Sequence, residues 1–200
     1  VRTAQESGRV LKCGFNHRYH PAMEQVNTLV KSGAVGTPMY GRGIYGIGGR
    51  PGYEKEWRAN PAMTPGGHLM EQGIHLIDLF RWYLGDFSKA ASMLQSAFWK
   101  IAPLEDNAFA LFQGPSGVMA YVHASLTQWK NHFSLEIYGT EGYVGVEGLG
   151  GGYGTEKLTL GKRDLTGPFS YQTTEFRGGD ISWQREWDDF VAAVNEGRPC

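Results

Sequence analysis

The stretch GPSGVMAYVHASLTQWKNHFSLEIYGTEGYVGVE, residues 114–147, carries the pattern on which the fold turns. From Val118 to Thr127 the side chains alternate strictly. Met119, Tyr121, His123, Ser125 and Thr127 fall on one face, and Val118, Ala120, Val122, Ala124 and Leu126 on the other. A period of two belongs to a strand with one apolar face turned to a core and one face open to polar contacts. Gly114-Pro115-Ser116-Gly117 and Gly139-Thr140-Glu141-Gly142 punctuate the run, which predicts antiparallel hairpins and meanders.

Outward from this stretch, runs of strand length cover about 89–99, 105–113, 117–126 and 132–138, with further extended pieces at 142–147, 156–160 and 170–176. PMYGRGIYGI, upstream, also reads as extended. A helix is predicted from about Pro21 to Ser32, with Met23, Val26, Leu29 and Val30 as its apolar stripe and Gly33 as its stop. A second runs from about Pro65 to Leu84 after the Gly/Pro-rich loop GGRPGYEKEWRANPAMTPGG, and a third from about Ile181 to Asn195 with Asp180 as its N-cap. Helices early and late around a run of strands predict an α+β fold, one large, mostly antiparallel open sheet packed on helices.

Two hundred residues with 41% hydrophobic content are enough for one sizeable core or one domain plus part of another. Nineteen basic and 20 acidic residues leave a formal charge of -1 with no cationic run, so no nucleic-acid footprint is present. No apolar run has membrane-spanning length. Cys13 and Cys200 form no disulfide framework, which fits a reducing compartment, with the cytoplasm as the default. The opening VRTAQESGRVLKCGFNHRY reads as a helix tail running into a strand that contains Cys13, and the chain ends just after a helix. Both ends read as cuts within a longer chain.

GGHLMEQGIHLIDLFRWYLG, residues 66–85, is apolar on nearly every side yet holds Glu71, His75 and Asp78. At helical spacing these three and Trp82 share one narrow stripe. Buried acids are costly unless paired, so the stripe should face a cleft or a hydrogen-bonded network. Gly73 costs ~1 kcal/mol relative to Ala in a helix, which implies a close approach there. Three readings stay open: a satisfied core histidine, a cation shared by Glu71 and His75, and general acid/base chemistry by an imidazole oriented by carboxylates. GRGIYG, residues 41–46, matches G-x-G-x-x-G, but no helix can follow it, so it reads as a Gly-rich strand. GLGGGYG, residues 148–154, reads as a hairpin loop or an anion-binding nest.

GFNHRYHPA, VKSGAVGTPMYGRG, EWRANPAMTPGGHLMEQGIHLIDLFRWYLG, EDNAFALF, LEIYGTEG and WQREWDDFVAAVNEGRP occur in the order seen in glucose-fructose oxidoreductase/inositol dehydrogenase/MocA-type proteins. The chain resembles that family over almost its whole length. The resemblance implies that residues 1–17 end a dinucleotide-binding domain and that 18–200 form a substrate-binding and oligomerising α+β domain, truncated at its C-terminus. The chain carries neither the dinucleotide fingerprint nor the Glu-Lys-Pro segment of the first half. It also implies an NAD- or NADP-dependent transfer of hydride to or from a secondary alcohol of a sugar, cyclitol or nucleotide-sugar, and a homo-oligomer built through the sheet face. His75 matches the family's proton-exchanging histidine. Glu71 stands where the family usually has Asp and would orient the imidazole or contact the hydroxyl being oxidised; Asp78 matches the acid after the histidine, as a substrate contact or a structural group behind it; and Arg18 matches the arginine after the GF strand, near the domain junction, as a substrate contact or a helix-anchoring ion pair.

Trp57 and Arg58, in the loop before the helix, are candidates to line a substrate pocket or are ordinary loop packing. His123 suits a sugar-binding surface, a wet sheet face or a subunit interface, and Trp129 and Lys130 a ligand-facing strand end or a solvated turn. The alternative function is a non-catalytic binding and oligomerisation domain without its cofactor half.

Overall fold

In the computed structural model, which describes residues 1–199, eight strands form one sheet. They are β1 (Pro38–Gly46), β2 (Lys89–Gln95), β3 (Asn107–Gln113), β4 (Met119–Ser125), β5 (His132–Gly139), β6 (Gly142–Glu147), β7 (Glu156–Lys162) and β8 (Tyr171–Phe176). Their order is β2-β3-β4-β1-β5-β6-β7-β8. Each neighbouring pair is antiparallel except β1 and β4, which run parallel with Gly41 opposite Ala120 and Gly43 opposite Val122. β1 thus lies between two antiparallel meanders, β2-β3-β4 and β5-β6-β7-β8.

The helices are α1 (Arg2–Glu6), α2 (Pro21–Lys31), α3 (Ile74–Leu84) and α4 (Ser182–Glu196). α2 and α3 cover one sheet face. The inward-pointing Ala120, Val122, Leu135, Ile137, Val144, Val146 and Leu158 meet Met23 and Val26 of α2 and Leu76, Leu79 and Phe80 of α3. Each large side chain fully buried here contributes about 1.5–3 kcal/mol.

α3 lies close on β1 because β1 has no side chains in its path. A Cβ on Gly41 would stand 2.5 Å from Phe80 Cε1, and one on Gly43 2.9 Å from Leu76 Cδ2. The G-x-G-x-x-G match is therefore a strand that makes room for a helix. Gly73 does the same from the helix side, where a Cβ would stand 2.9 Å from Ala124 Cβ.

Several boundaries depart from the sequence expectation, each through a tertiary partner. The residues after Gln95 leave the sheet because the Asp106 carboxylate accepts the N–H groups of Ala97, Phe98 and Trp99 at 2.8–2.9 Å. The helix expected from Pro65 starts later, as a π-helical turn over Leu69–Gly73 that leads into α3. Its entry is held by Glu105, whose carboxylate accepts from Gly67 N and Leu69 N, both at 2.9 Å. Asp180 stands one residue before the N-cap, Ile181, yet its carboxylate accepts the Ser182 N–H at 2.8 Å. The expected strand around Cys13 is absent among the described residues: the segment pairs with no other strand, and the Phe15 N–H is taken by the Glu186 carboxylate at 2.7 Å. Cys13 is an exposed free thiol, and Cys200 lies outside the described residues. No described helix is long and apolar enough to cross a membrane.

Candidate active site

A π-helical turn over Leu69–Gly73, with hydrogen bonds at i→i+5, carries Glu71 and leads into α3. His75, Asp78 and Trp82 remain on one face of α3, against the 3-10 turn Asn16–Tyr19, while Glu71 turns to the loop before the helix.

On the first side, the His75 ring stacks on His17 with centroids 3.9 Å apart and planes 13° apart, and Phe15 meets it edge-on at 5.9 Å. His75 Nδ1 is buried without a hydrogen-bond partner, leaving Nε2 as the nitrogen that can exchange a proton. Burial lowers the His75 pKa, Asp78 opposes that shift, and His20 adds to it. Asp78, 6% exposed, takes a two-pronged ion pair from Arg18, Nε to Oδ2 at 2.7 Å and Nη2 to Oδ1 at 2.6 Å. The Arg18 guanidinium also lies over the Trp82 ring at 5.6 Å. Behind His17, His20 is buried against Glu156 at 2.6 Å, and Glu156 also accepts the Ala22 N–H at the start of α2.

On the second side, Glu71 receives Arg58 Nε at 2.6 Å and the Tyr53 hydroxyl at 3.0 Å, with His68 Nδ1 3.9 Å away. Burial would raise the Glu71 carboxyl, but His68, Tyr53 and Arg58 outweigh it and hold the group below its ordinary range. The Arg58 guanidinium stacks over Trp57 at 4.4 Å, and Trp57 itself is exposed. Glu71 and His75 share no hydrogen bond, and no group of three or more His, Cys, Asp or Glu side chains placed to hold a metal ion occurs among the described residues.

The remaining candidates lie apart. His123 is on the sheet face opposite α3, stacked on Phe109 at 4.2 Å, with Nε2 3.4 Å from Asn107 Oδ1. Trp129 adopts φ 57°, a left-handed backbone that costs about 1–3 kcal/mol in a non-glycine residue, and meets Phe98 edge-on at 4.8 Å. An aromatic chain links it back through Trp99 to Tyr53, the partner of Glu71. Lys130 is exposed and has no hydrogen bond or ion pair among the described residues. A cavity of about 510 Å³ is lined by Trp57, Asn60 and Met63, and one of about 810 Å³ lies between α1 and Arg198; neither includes His75.

The structure pairs Asp78 with Arg18 on the face of α3 that carries His75, and pairs Glu71 with Arg58 beside Trp57. Sequence reasoning missed His17, Tyr53 and His68. The doubled histidine of HRYH around Arg18 was the available signal for His17; the partners of Tyr53 and His68 are set only by folding. The described residues offer no dinucleotide cradle, since the one G-x-G-x-x-G stretch is a strand closed off by Phe80 and Leu76.

A family model described as the GFO/IDH/MocA C-terminal domain matches residues 23–145. The chain is 26% identical over 198 residues to a D-apiose dehydrogenase of Rhizobium rhizogenes, covering 97% of this chain and 54% of that protein. It is 28% identical over 145 residues to scyllo-inositol 2-dehydrogenase (NAD(+)) of Bacillus subtilis, covering 70% and 41%. The chain thus spans about half the length of the curated relatives it matches. Among solved structures, levoglucosan dehydrogenase in complex with NADH superposes with a TM-score of 0.85 at 19% identity, over 100% of this chain and 60% of that one. The same fold is found in aldose-aldose oxidoreductase of Caulobacter crescentus, with a TM-score of 0.78 at 21% identity over 99% of this chain and 57% of that one. With most of the chain matched by its C-terminal domain model, the protein belongs to the GFO/IDH/MocA family.

Proposed function

We propose that residues 18–200 are the substrate-facing part of an NAD(P)-dependent oxidoreductase that acts on a secondary alcohol of a sugar, cyclitol or nucleotide-sugar, and that residues 1–17 join it to a dinucleotide-binding domain. One observation carries the reading. Of the four histidines around α3, His17, His20 and His68 are buried, and only His75 keeps access to solvent, through one ring nitrogen. An imidazole whose charged form is disfavoured by burial is suited to accept the hydroxyl proton of an alcohol and return it to a carbonyl near neutral pH. The nicotinamide supplies the hydride chemistry, and no residue of this chain is assigned to hold it.

Asp78 and Arg18 act as a brace for the face that carries His75. Glu71, with Arg58 and Trp57 beside it, is assigned to contact substrate hydroxyls, and the loop with Trp129 and Lys130 borders the same side through the aromatic chain from Tyr53. The relatives named for D-apiose, scyllo-inositol and levoglucosan support a polyhydroxylated substrate. The face opposite α3, where Met93, Phe109, Leu111 and Met119 are exposed beside His123, is assigned to a homo-oligomer; a monomeric mass in solution would exclude that. In the complete protein His75→Ala should lower kcat by roughly 100-fold with the fold retained. Unchanged turnover in that variant would reject the assignment.

A further inference from the structure

We propose that His17 is a positioning residue for His75: a fixed, neutral imidazole platform that sets the plane of the His75 ring and leaves its Nε2 as the exchangeable nitrogen. The role of His75 as acid/base rests on the proposed function above; the stack does not.

The platform is locked by its own hydrogen bonds. The Asn16 side-chain amide donates to Ser182 Oγ at 2.8 Å, which leaves Asn16 Oδ1 as the acceptor facing His17 Nδ1 at 3.1 Å. Nδ1 of His17 therefore carries the proton, and its Nε2 accepts from the Tyr45 hydroxyl at 3.1 Å. Both nitrogens are satisfied, the residue is 5% exposed, and Phe133 and His20 pack its other sides with centroids 6.2 and 5.6 Å away. The ring has no freedom to turn.

His17 also stays uncharged. Burial, then the neighbouring His75 and His20, push its pKa well below the ordinary histidine value. The other charged groups around the stack are already engaged: Asp78 by Arg18, Glu71 by Arg58 and Tyr53, Glu156 by His20. Asp180 lies beyond His20, 3.9 Å from its Nε2. His75 can thus gain and lose a proton without meeting a second imidazolium 3.9 Å away. Its orientation is the other half of the effect, because a ring pinned flat on His17 keeps Nδ1 inside.

The test is an NMR pH titration of the histidine ring signals of this chain, wild type against His17→Leu and His17→Phe. In the wild type, His75 should show ring-current-shifted signals and titrate below the ordinary value of about 6.5. His17→Leu, which removes the platform, should abolish the ring-current shift and let the neutral His75 ring populate both tautomers, read from its long-range nitrogen correlations. His17→Phe, which keeps a flat neutral ring, should retain the shift and the single tautomer. A His75 tautomer unchanged in folded His17→Leu, or mixed equally in His17→Phe, overturns the proposal. Should the variants fail to fold, long-range nitrogen correlations in the wild type decide it: His17 must be the neutral Nδ1–H tautomer at pH 6, and a charged or Nε2–H ring overturns it. A merely structural His17 would lower thermal stability in either variant without changing the His75 tautomer. Loss of the acid/base reading, seen as His75→Ala with full turnover, would leave these titrations as they are.

Discussion

Replacing Arg18 with Met measures the brace that joins the His17 turn to α3. The guanidinium makes two short bonds to Asp78, at 2.7 and 2.6 Å, and Asp78 is 6% exposed, so the substitution strands a carboxylate where water cannot reach it. Breaking a buried pair costs ~3–5 kcal/mol. The Arg18 side chain is 39% exposed, so solvent already screens its outer edge and the expected loss falls to about 2–3 kcal/mol. For a domain of this size that corresponds to a Tm lower by roughly 5–10 °C. Replacing both partners, Arg18→Met with Asp78→Leu, removes the stranded charge and should restore stability to within about 1 kcal/mol of the wild type. Urea unfolding at pH 7 of both single variants and the double variant reads the cycle. If Arg18→Met alone costs under about 1 kcal/mol, or the second substitution recovers nothing, the brace is not what holds this face together.

Gly73→Ala should destabilise despite a gain in helix propensity of ~1 kcal/mol, because its Cβ would press on Ala124 Cβ at 2.9 Å and Leu69 Cδ1 at 2.7 Å. A variant with a higher Tm would show that α3 and β4 have slack between them. The Asp106 carboxyl is pushed up by burial but more strongly down by the N–H groups of Ala97, Phe98 and Trp99 and the Asn107 amide, and rests below its ordinary range. A depressed folded-state pKa gives stability that is complete above the unfolded value near ~3.9 and is lost as the pH falls through the folded-state value. Asp106→Asn should therefore lower stability at pH 7 and flatten its decline below about pH 4; an identical acid profile would remove Asp106 from that role.

The sheet was legible because its signals are local. Alternation from Val118 to Thr127 and the Gly-rich turns at 114–117 and 139–142 act within a few residues, and β4, β5 and β6 formed where they indicate. The placement of His75, Asp78 and Trp82 on one face of α3 followed from helical spacing in the same way. The parallel pairing of β1 with β4 was not visible, since it joins segments almost 80 residues apart that carry no turn between them. The partners of Glu71, Arg58 and Tyr53, were not visible either, because they come from the irregular loop before the helix. Nor could sequence pair His17 with His75, because the stack joins the turn before α2 to α3, almost 60 residues along the chain. Periodicity and turn chemistry are properties of neighbours along the chain and can be read from it, whereas the partner of a buried polar group is chosen by whatever packs across from it, and that belongs to the tertiary structure.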